Sequence, residues 1–339
     1  MKEFSGYRKG INFGGWFSQC DHSEKRYDNF IKKDDFRRVA RWGLDHVRIP
    51  VDYELFLDGS LNYREEGFKR IEDCISWCRE YGLNMILDLH KTVGFSFDDG
   101  ENEEGFFDSE KYQQIFYDLW KEFAKRFARN DNLAFELLNE VTDPKYSSRW
   151  NEIAGKAVEA IREYAPDIRI LIGGYHHNSI TALKDLDLPH DENIVYNFHC
   201  YAPLIFTHQG AYWIEKMDRS FRMSFASSYE DYTKYTEEQI GYNYFTDYRK
   251  DGIMGIEYFE EEFAEAIRIS KERDVPLYCG EYGVIDLADT EDTLEWFRCI
   301  NSVFEKYGIG RAVWSYKEMD FGLTDAHYDD IRDDLLGLL

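Results

Sequence analysis

The sequence predicts an α/β fold, a (β/α)8 TIM barrel with an aromatic-rich insertion between the sixth strand and the sixth helix. Eight short apolar runs alternate with longer segments of helical periodicity along the 339 residues. Most of these runs are nearly continuous rather than alternating, as is typical of parallel strands covered on both faces. Eight such strand and helix pairs predict a closed parallel barrel, here a single domain over residues 1–339.

The eight predicted strands follow in chain order. They cover Ile11–Gly15, His46–Pro50, Asn84–His90, Ala134–Glu140, Ile168–Gly173, Ile194–Tyr201, Leu277–Gly283 and Arg311–Tyr316. Three of the intervening segments end in an aromatic residue, a glycine and an aliphatic residue, at Gly43, Gly82 and Gly308. Because glycine suits the left-handed position that ends a helix, these triplets mark helix ends that lead into the next strand.

The segment between the sixth and seventh strands is unusually long. About seventy residues separate Tyr201 from Leu277, where a loop and a helix need about half that number. A helix predicted over Phe259–Lys271 leaves residues 202–258 as an insertion rich in aromatic side chains. In a barrel this insertion would lie over the C-terminal face, where active sites are found, as a lid, a substrate wall or a satellite core.

Composition excludes several classes of partner. The chain has 41 basic and 66 acidic residues, a net charge of −25, which argues against nucleic acid and anionic membrane surfaces. No apolar run is long enough to span a bilayer. The N-terminus lacks the pattern of a signal peptide, so a cytoplasmic location is expected, with secretion after loss of a leader as the alternative. The six cysteines are expected to be free thiols.

Polar side chains recur at the predicted C-terminal ends of the strands, the positions that carry function in this architecture. They are Arg48, His90, Asn139, Glu140, His199, Tyr201, Glu281 and Trp314. Two carboxylates facing each other across a barrel mouth are the machinery of glycoside hydrolysis, in which one is protonated and the other ionised. A cation such as Arg48 favours the ionised form of a neighbouring carboxylate.

Several segments resemble glycoside hydrolase family 5, the cellulase family. Leu137–Glu140 resembles the acid/base motif of the family, and Tyr278–Gly283 resembles its nucleophile motif. The resemblance extends in order over residues 9–320, through the segments Gly10–Trp16, His46–Pro50, Leu87–His90, Tyr196–Tyr201 and Ala312–Tyr316. The eight site residue types of the family are all matched in chain order.

The resemblance implies a role for each of these residues. Glu140 would be the general acid and then the general base, and Glu281 the nucleophile, in a reaction that retains configuration. Asn139 would bind the 2-hydroxyl at the −1 subsite, and Trp314 would form the platform of that subsite. Arg48 and Tyr201 would orient Glu281, while His90 and His199 would bind hydroxyls or position the carboxylates. Trp16, His208 and Trp213 lie in further matching segments and are implied as substrate-binding residues.

The substrate implied by the resemblance is a β-1,4-glucan or a cello-oligosaccharide, attacked by an endo-acting enzyme. The segment Phe206–Trp213 and Met319–Phe321 resemble clostridial-type cellulases with an insertion after the sixth strand. The alternatives are an exo-acting β-glucosidase, a β-1,3/1,4-glucanase on short oligosaccharides and a β-mannanase. A carbohydrate-binding barrel without activity is disfavoured because both glutamates are present.

Two other motifs are discounted. The acidic segment Asp98–Glu104 lacks the alternating spacing of a calcium loop and is interpreted as a solvated loop. His176 and His177 follow the fifth strand and could reach the rim of the cleft, but they are interpreted as ordinary loop residues. No metal and no organic cofactor is implied.

Overall fold

The barrel is closed and entirely parallel. The computed structural model describes residues 1–98, 104–241 and 251–339. Each strand pairs with the next in the chain, and β8 pairs with β1. The strands are β1 Lys9–Asn12, β2 His46–Asp52, β3 Asn84–Lys91, β4 Leu133–Glu136, β5 Arg169–Gly173, β6 Ile194–His199, β7 Leu277–Tyr282 and β8 Gly310–Val313. The predicted (β/α)8 barrel is confirmed.

Helices surround the barrel and follow the predicted order. The described helices include Glu24–Asn29, Lys33–Arg41, Glu65–Tyr81, Glu110–Phe127, Ser147–Arg162, Leu204–Thr207, Tyr229–Gln239, Ile256–Arg273, Thr290–Tyr307 and Arg332–Leu338. Gly82 and Gly308 end their helices in the left-handed conformation, with φ of 73° and 70°, as predicted. In the described parts of the chain, no helix combines the length and the apolarity needed to cross a membrane.

The barrel interior is layered. Its lower layer is apolar, formed by Ile86, Ala134, Leu171, Val195, Tyr278 and Ala312 and closed from below by Phe4 and Tyr7. Above it lies a polar layer of Asn12, Arg48, Asp88, Glu136 and Asn197, all completely buried. Interior positions recur every second residue because successive side chains of a strand point to opposite faces. The expectation of nearly continuous apolar strands is therefore wrong for the upper half of the barrel.

Five predicted strands, β1, β4, β6, β7 and β8, extend too far at their C-terminal ends. β4 ends at Glu136, β6 at His199 and β8 at Val313, so Asn139, Glu140 and several other site residues follow the strands instead of ending them. Asn139, Glu140, Tyr201 and Trp314 thus lie on irregular backbone beyond the strands. The other four site residues, Arg48, His90, His199 and Glu281, lie on the strands themselves.

Part of the segment between β6 and β7 packs into the main hydrophobic core. Phe206, Phe225 and Tyr232 are fully buried, and the rings of Phe206 and Phe225 lie 5.3 Å apart. The Tyr232 hydroxyl donates to the Phe225 carbonyl over 2.8 Å. Tyr212 and Trp213 are instead 66% and 44% exposed and contact each other edge to face. Most of the described aromatic side chains of this segment therefore pack in the interior, whereas Tyr212 and Trp213 are partly exposed to solvent.

Two parts of the interpreted sequence fall outside the described residues. Residues 99–103 include most of the acidic segment that was interpreted as a solvated loop, and residues 242–250 belong to the predicted insertion. The six cysteines are all free, as expected.

Candidate active site

Seven polar side chains and one tryptophan converge at the C-terminal end of the barrel. They are the predicted residues Arg48, His90, Asn139, Glu140, His199, Tyr201, Glu281 and Trp314, of which all but Tyr201 are buried. One oxygen from each of Glu140 and Glu281 and one ring nitrogen of His199 lie within 4.8 Å of one another. The two carboxylates therefore face each other across a short gap.

Glu281 is held at both oxygens. Nη1 of Arg48 contacts Oε1 over 2.8 Å, and the Tyr201 hydroxyl donates to Oε2 over 3.0 Å. Burial, with the negative charges of Glu281 and Glu140, raises the pKa of Tyr201 well above its usual value, so its hydroxyl keeps the proton that it donates. Both contacts orient the Glu281 carboxylate.

Arg48 is itself fixed by a buried polar network. Its Nε and Nη2 donate to the two oxygens of Glu136 over 2.7 and 2.8 Å, and Nη2 lies 2.9 Å from Asp88. Nη1 also donates to Oδ1 of Asn12 over 2.9 Å. Burial alone lowers the pKa of Arg48, but the surrounding carboxylates outweigh it and raise the pKa well above its usual range. The guanidinium is thus a permanent charge with one orientation.

Asn139, His90 and Trp314 line the same mouth. Oδ1 of Asn139 accepts from Nη2 of Arg48 over 2.8 Å. The His90 ring contacts Asp88 through Nδ1 over 2.6 Å and lies parallel to the Trp314 ring, with centroids 6.0 Å apart. A Cβ added at Gly14 would come within 2.6 Å of Trp314, so the close approach of this indole requires glycine.

Glu140 is bound by two imidazoles. Nδ1 of His199 lies 2.7 Å from its Oε1, and Nδ1 of His177 lies 2.8 Å from its Oε2. Burial raises the pKa of Glu140, but the hydrogen bonds from His177 and His199 outweigh burial and lower the pKa well below its usual range. The interpretation of His177 as an ordinary loop residue is wrong, because the backbone after β5 turns back over Glu140.

Trp16 does not join this group. It is 2% exposed, stacks on Phe17 at 3.8 Å and donates its indole N–H to the carbonyl of Tyr27 over 2.8 Å. The expectation that Trp16 binds substrate is therefore corrected, because Trp16 is a residue of the core. The helix that carries Tyr27 covers the segment after β1 and turns this indole into the core.

His208 and Trp213 form the outer wall. The His208 ring lies edge-on to Tyr201 at 5.1 Å and to Trp213 at 5.7 Å, and contacts Phe321 at 5.4 Å. Burial lowers the pKa of His208 to about 4, so its ring is neutral at pH 7. This aromatic wall extends from the nucleophile to the exposed face of Trp213.

Sequence reasoning missed the residues that support the predicted site. Asn12, Asp88, Glu136 and Asn197 form the polar layer, and Asn197 donates to Oε1 of Glu136 over 2.7 Å. Two of them could have been found from the two-residue period of a strand, because Asp88 and Asn197 stand two residues before His90 and His199 and so share their face. Asn12 could have been found as the last residue of its strand.

Known proteins resemble this chain over nearly all of its length. The family model for cellulase, glycosyl hydrolase family 5, matches residues 8–320. The chain is 47% identical over 312 residues to cellodextrinase A of Ruminococcus flavefaciens, covering 92% of this chain and 86% of that protein. It is 36% identical over 338 residues to endoglucanase C of Acetivibrio thermocellus, with 98% of each covered.

Solved structures agree with this assignment. Cel5A of Thermotoga maritima in complex with cellobiose has a TM-score of 0.77 at 26% identity, covering 98% of this chain and 96% of that one. The same enzyme in complex with mannotriose has a TM-score of 0.76 at 26% identity, with 98% and 97% covered. The family match, the identities and the barrel agree, and the chain is a glycoside hydrolase that belongs to family 5, the cellulase family.

Proposed function

We propose that this enzyme cleaves β-1,4-glucosidic bonds of cello-oligosaccharides and glucan chains by double displacement, with Glu281 as nucleophile and Glu140 as acid/base. The observation that carries the proposal is the short gap between the two carboxylates, within 4.8 Å for one oxygen of each. Retaining enzymes hold their carboxylates about 5–5.5 Å apart, whereas inverting enzymes need about 6.5–9.5 Å for a water molecule between them.

In the first step the Glu281 carboxylate attacks the anomeric carbon. The bond between this carbon and the glycosidic oxygen breaks, and protonated Glu140 gives its proton to the departing oxygen. The contacts of Arg48 and Tyr201 hold the two oxygens of Glu281 in place before the attack. The products of this step are a glycosyl ester on Glu281 and a free sugar hydroxyl.

In the second step a water molecule attacks the same carbon from the side that the leaving sugar has vacated. Glu140, now a carboxylate, takes a proton from this water, and the ester bond to Glu281 breaks. The hydrogen bonds from His177 and His199 stabilise Glu140 in the charged form that this step requires.

Neighbouring residues bind the sugar that is attacked. Asn139 accepts from Arg48 through Oδ1, which leaves its amide N–H group as the donor for the 2-hydroxyl. Trp314, stacked over His90, offers an aromatic face to the sugar ring. Trp213, at the outer end of the wall that contains His208, is placed to hold a sugar farther along the chain.

The relatives favour glucan over other substrates, but they do not decide between short and long glucan chains. One relative is named a cellodextrinase, which favours short cello-oligosaccharides, and another an endoglucanase, which favours internal bonds of longer chains. The mannotriose complex of a similar enzyme makes β-mannan the second candidate.

A product time course on cellohexaose, with mannohexaose in parallel, tests the proposal. We expect mid-length cello-oligosaccharides to appear together, each released first as the β-anomer by proton NMR. Stepwise release of glucose or cellobiose from one end would support the exo-acting alternative. Cleavage of mannohexaose alone would overturn the glucan assignment, and first release of the α-anomer would overturn the retaining mechanism.

A further inference from the structure

Asn178 joins the two parts of the structure that hold Glu140. Its Nδ2 donates to the carbonyl of Asn139, the residue before Glu140, over 2.5 Å. The same nitrogen lies 3.4 Å from Nε2 of His199, whose Nδ1 lies 2.7 Å from Oε1 of Glu140. Asn178 is 1% exposed and is not among the eight residues that converge at the barrel mouth. A side chain this buried cannot bind the sugar, so its effect on the reaction passes through these two neighbours.

The chain after β5 is shaped to place this amide. A Cβ added at Gly173, the last residue of β5, would overlap Oδ1 of Asn178, so the close approach requires glycine. Asn178 has a φ of 55°, in the left-handed region that asparagine adopts more readily than most residues. The backbone amide of His177 donates to the Val141 carbonyl over 3.1 Å. Backbone and side chain therefore both fasten this turn beside Glu140.

The contact with Asn139 decides which end of the amide faces His199. A carbonyl oxygen can only accept, so the atom of Asn178 that contacts it is the nitrogen. An amide N–H can only donate, so Nε2 of His199 accepts from the same nitrogen. His199 therefore carries its ring proton on Nδ1 and donates from there to Oε1 of Glu140.

This tautomer matters most when Glu140 carries the acid proton. A charged carboxylate only accepts, and by itself keeps the ring proton on Nδ1. A protonated carboxyl can also donate, and an Nδ1 without a proton would accept the acid proton from Oε1. With the ring proton on Nδ1, the acid proton lies on Oε2 instead. A hydroxyl oxygen can accept one hydrogen bond and donate its own proton, so Oε2 can keep its contact with His177 and still face the leaving group.

We propose that Asn178 is a positioning residue that keeps His199 a donor to Glu140 in both steps. In the first step it prevents His199 from capturing the proton that Glu140 owes to the glycosidic oxygen. In the second step the same donor stabilises Glu140 as the carboxylate that takes a proton from water. This inference rests on the proposed function, in which Glu140 is the acid/base.

The charges around His199 do not set the tautomer in the protonated state. Three carboxylates face the ring in the described part of the chain: Glu140, Glu281 with Oε2 at 3.7 Å from Nδ1, and Glu136 in the polar layer below. These groups attract protons to the ring as a whole. The N–H of Asn178 distinguishes the two nitrogens, because two donors cannot share one hydrogen bond.

The first test reads the ring proton of His199 by proton–nitrogen correlation NMR on enzyme with isotope-labelled histidine. Glu140→Gln is a stable mimic of the protonated acid, because an amide can also either donate or accept at Oε1. The His199 signals are assigned by their loss when His199→Gln is added. We expect His199 of Glu140→Gln to be protonated on Nδ1 alone. A ring protonated on Nε2 would overturn the inference, and this result requires neither activity nor a change at Asn178.

The second test replaces Asn178 by aspartate. An amide nitrogen has two protons and serves both Asn139 and His199, whereas a carboxyl oxygen has at most one. With that proton on the Asn139 carbonyl, or with none, a lone pair faces Nε2. In Glu140→Gln/Asn178→Asp we therefore expect the ring proton of His199 on Nε2. A ring still protonated on Nδ1 alone would overturn the inference.

Kinetics connect the tautomer to general-acid catalysis. In Asn178→Asp, Nδ1 can accept the acid proton, so kcat/KM on cellotetraose should fall by about 10–100-fold, part of the about 10²–10⁴-fold that a general acid contributes. On 2,4-dinitrophenyl β-cellobioside, whose first step needs no acid, the loss should be at least about tenfold smaller. Asn151→Asp is the matched control, since Asn151 donates to the Asp185 carbonyl over 2.8 Å from an outer helix. It should change neither value.

The two substrates separate this inference from the proposed function. Equal losses of Asn178→Asp on both substrates would indicate a merely structural role and overturn the inference, with the proposed function intact. Wild-type enzyme that cleaves neither substrate would overturn both. Should Asn178→Asp not fold, the measurement on Glu140→Gln decides the inference by itself.

Discussion

Replacement of Glu140 by glutamine tests its acid role through kcat/KM, which reports the steps up to the glycosyl ester and not the base step that follows. Glutamine keeps the shape of the side chain between His177 and His199, but its amide has no acidic proton to give. General-acid catalysis contributes about 10²–10⁴-fold, which is about 3–5 kcal/mol of the activation barrier. On cellotetraose, whose leaving group is a sugar hydroxyl, we expect kcat/KM to fall by about 10³-fold.

The same variant should lose much less on an activated substrate. The 2,4-dinitrophenolate of 2,4-dinitrophenyl β-cellobioside departs without a proton, so kcat/KM should fall by less than about tenfold. The assay is initial-rate kinetics on both substrates. Asp143→Asn is the control, because Asp143 lies on the same segment, is partly exposed and pairs with Lys145. Equal losses of Glu140→Gln on the two substrates would refute the acid role.

Three further predictions concern the nucleophile, the outer wall and stability. Glu281→Ala should lose turnover and regain it with azide as an α-glycosyl azide; a β-azide by NMR would contradict the assignment. Trp213→Ala should raise KM for cellohexaose about 2–10-fold, as loss of one aromatic contact implies, whereas Tyr63→Ala, equally exposed elsewhere, should not. Burial lowers the pKa of His22, but its hydrogen bond to Asp52 outweighs burial and raises the pKa to about 10. The imidazolium therefore stabilises the fold fully below pH 6.5, and this stabilisation is lost as the pH rises to 10. The measurement is the difference in free energy of unfolding by urea between wild type and His22→Gln. An equal difference at pH 6 and pH 10 would refute this prediction.

The fold could be predicted because its signals are local. Each strand is an apolar run, and glycines such as Gly82 and Gly308 mark the helix ends. The residues at the mouth could be predicted because the C-terminal ends of all eight strands meet there. For Arg48, Glu140 and Glu281, the residue type and the position at a strand end were enough for the prediction, because the barrel brings these positions together.

The direction of side chains on irregular backbone could not be predicted. Trp16 follows β1 as Trp314 follows β8, and yet Trp16 is core while Trp314 faces the mouth. The helix Glu24–Asn29 packs over the segment after β1, and the carbonyl of its Tyr27 accepts the indole N–H of Trp16. His177 was missed for the same kind of reason, since a left-handed turn of non-glycine residues has no compositional signal.

The polar layer was missed because its members stand inside runs that look apolar. Glu136 and Asp88 are flanked by residues such as Phe135 and Leu87, which face the surrounding helices. Only the two-residue period of a strand separates the interior face from the exterior one. The number of aromatic residues in the insertion likewise does not tell which of them are buried. Phe225 is buried in the core, whereas Trp213 is exposed at the surface.

Glu281 is the residue that we propose forms the covalent intermediate. The most direct measurement is peptide mass spectrometry after inactivation with 2,4-dinitrophenyl 2-deoxy-2-fluoro-β-cellobioside, which forms the ester but hydrolyses slowly. We expect one added fluorocellobiosyl group, on the peptide that contains Glu281, and no label in Glu281→Gln. A label on Glu140 or on any other carboxylate would contradict it.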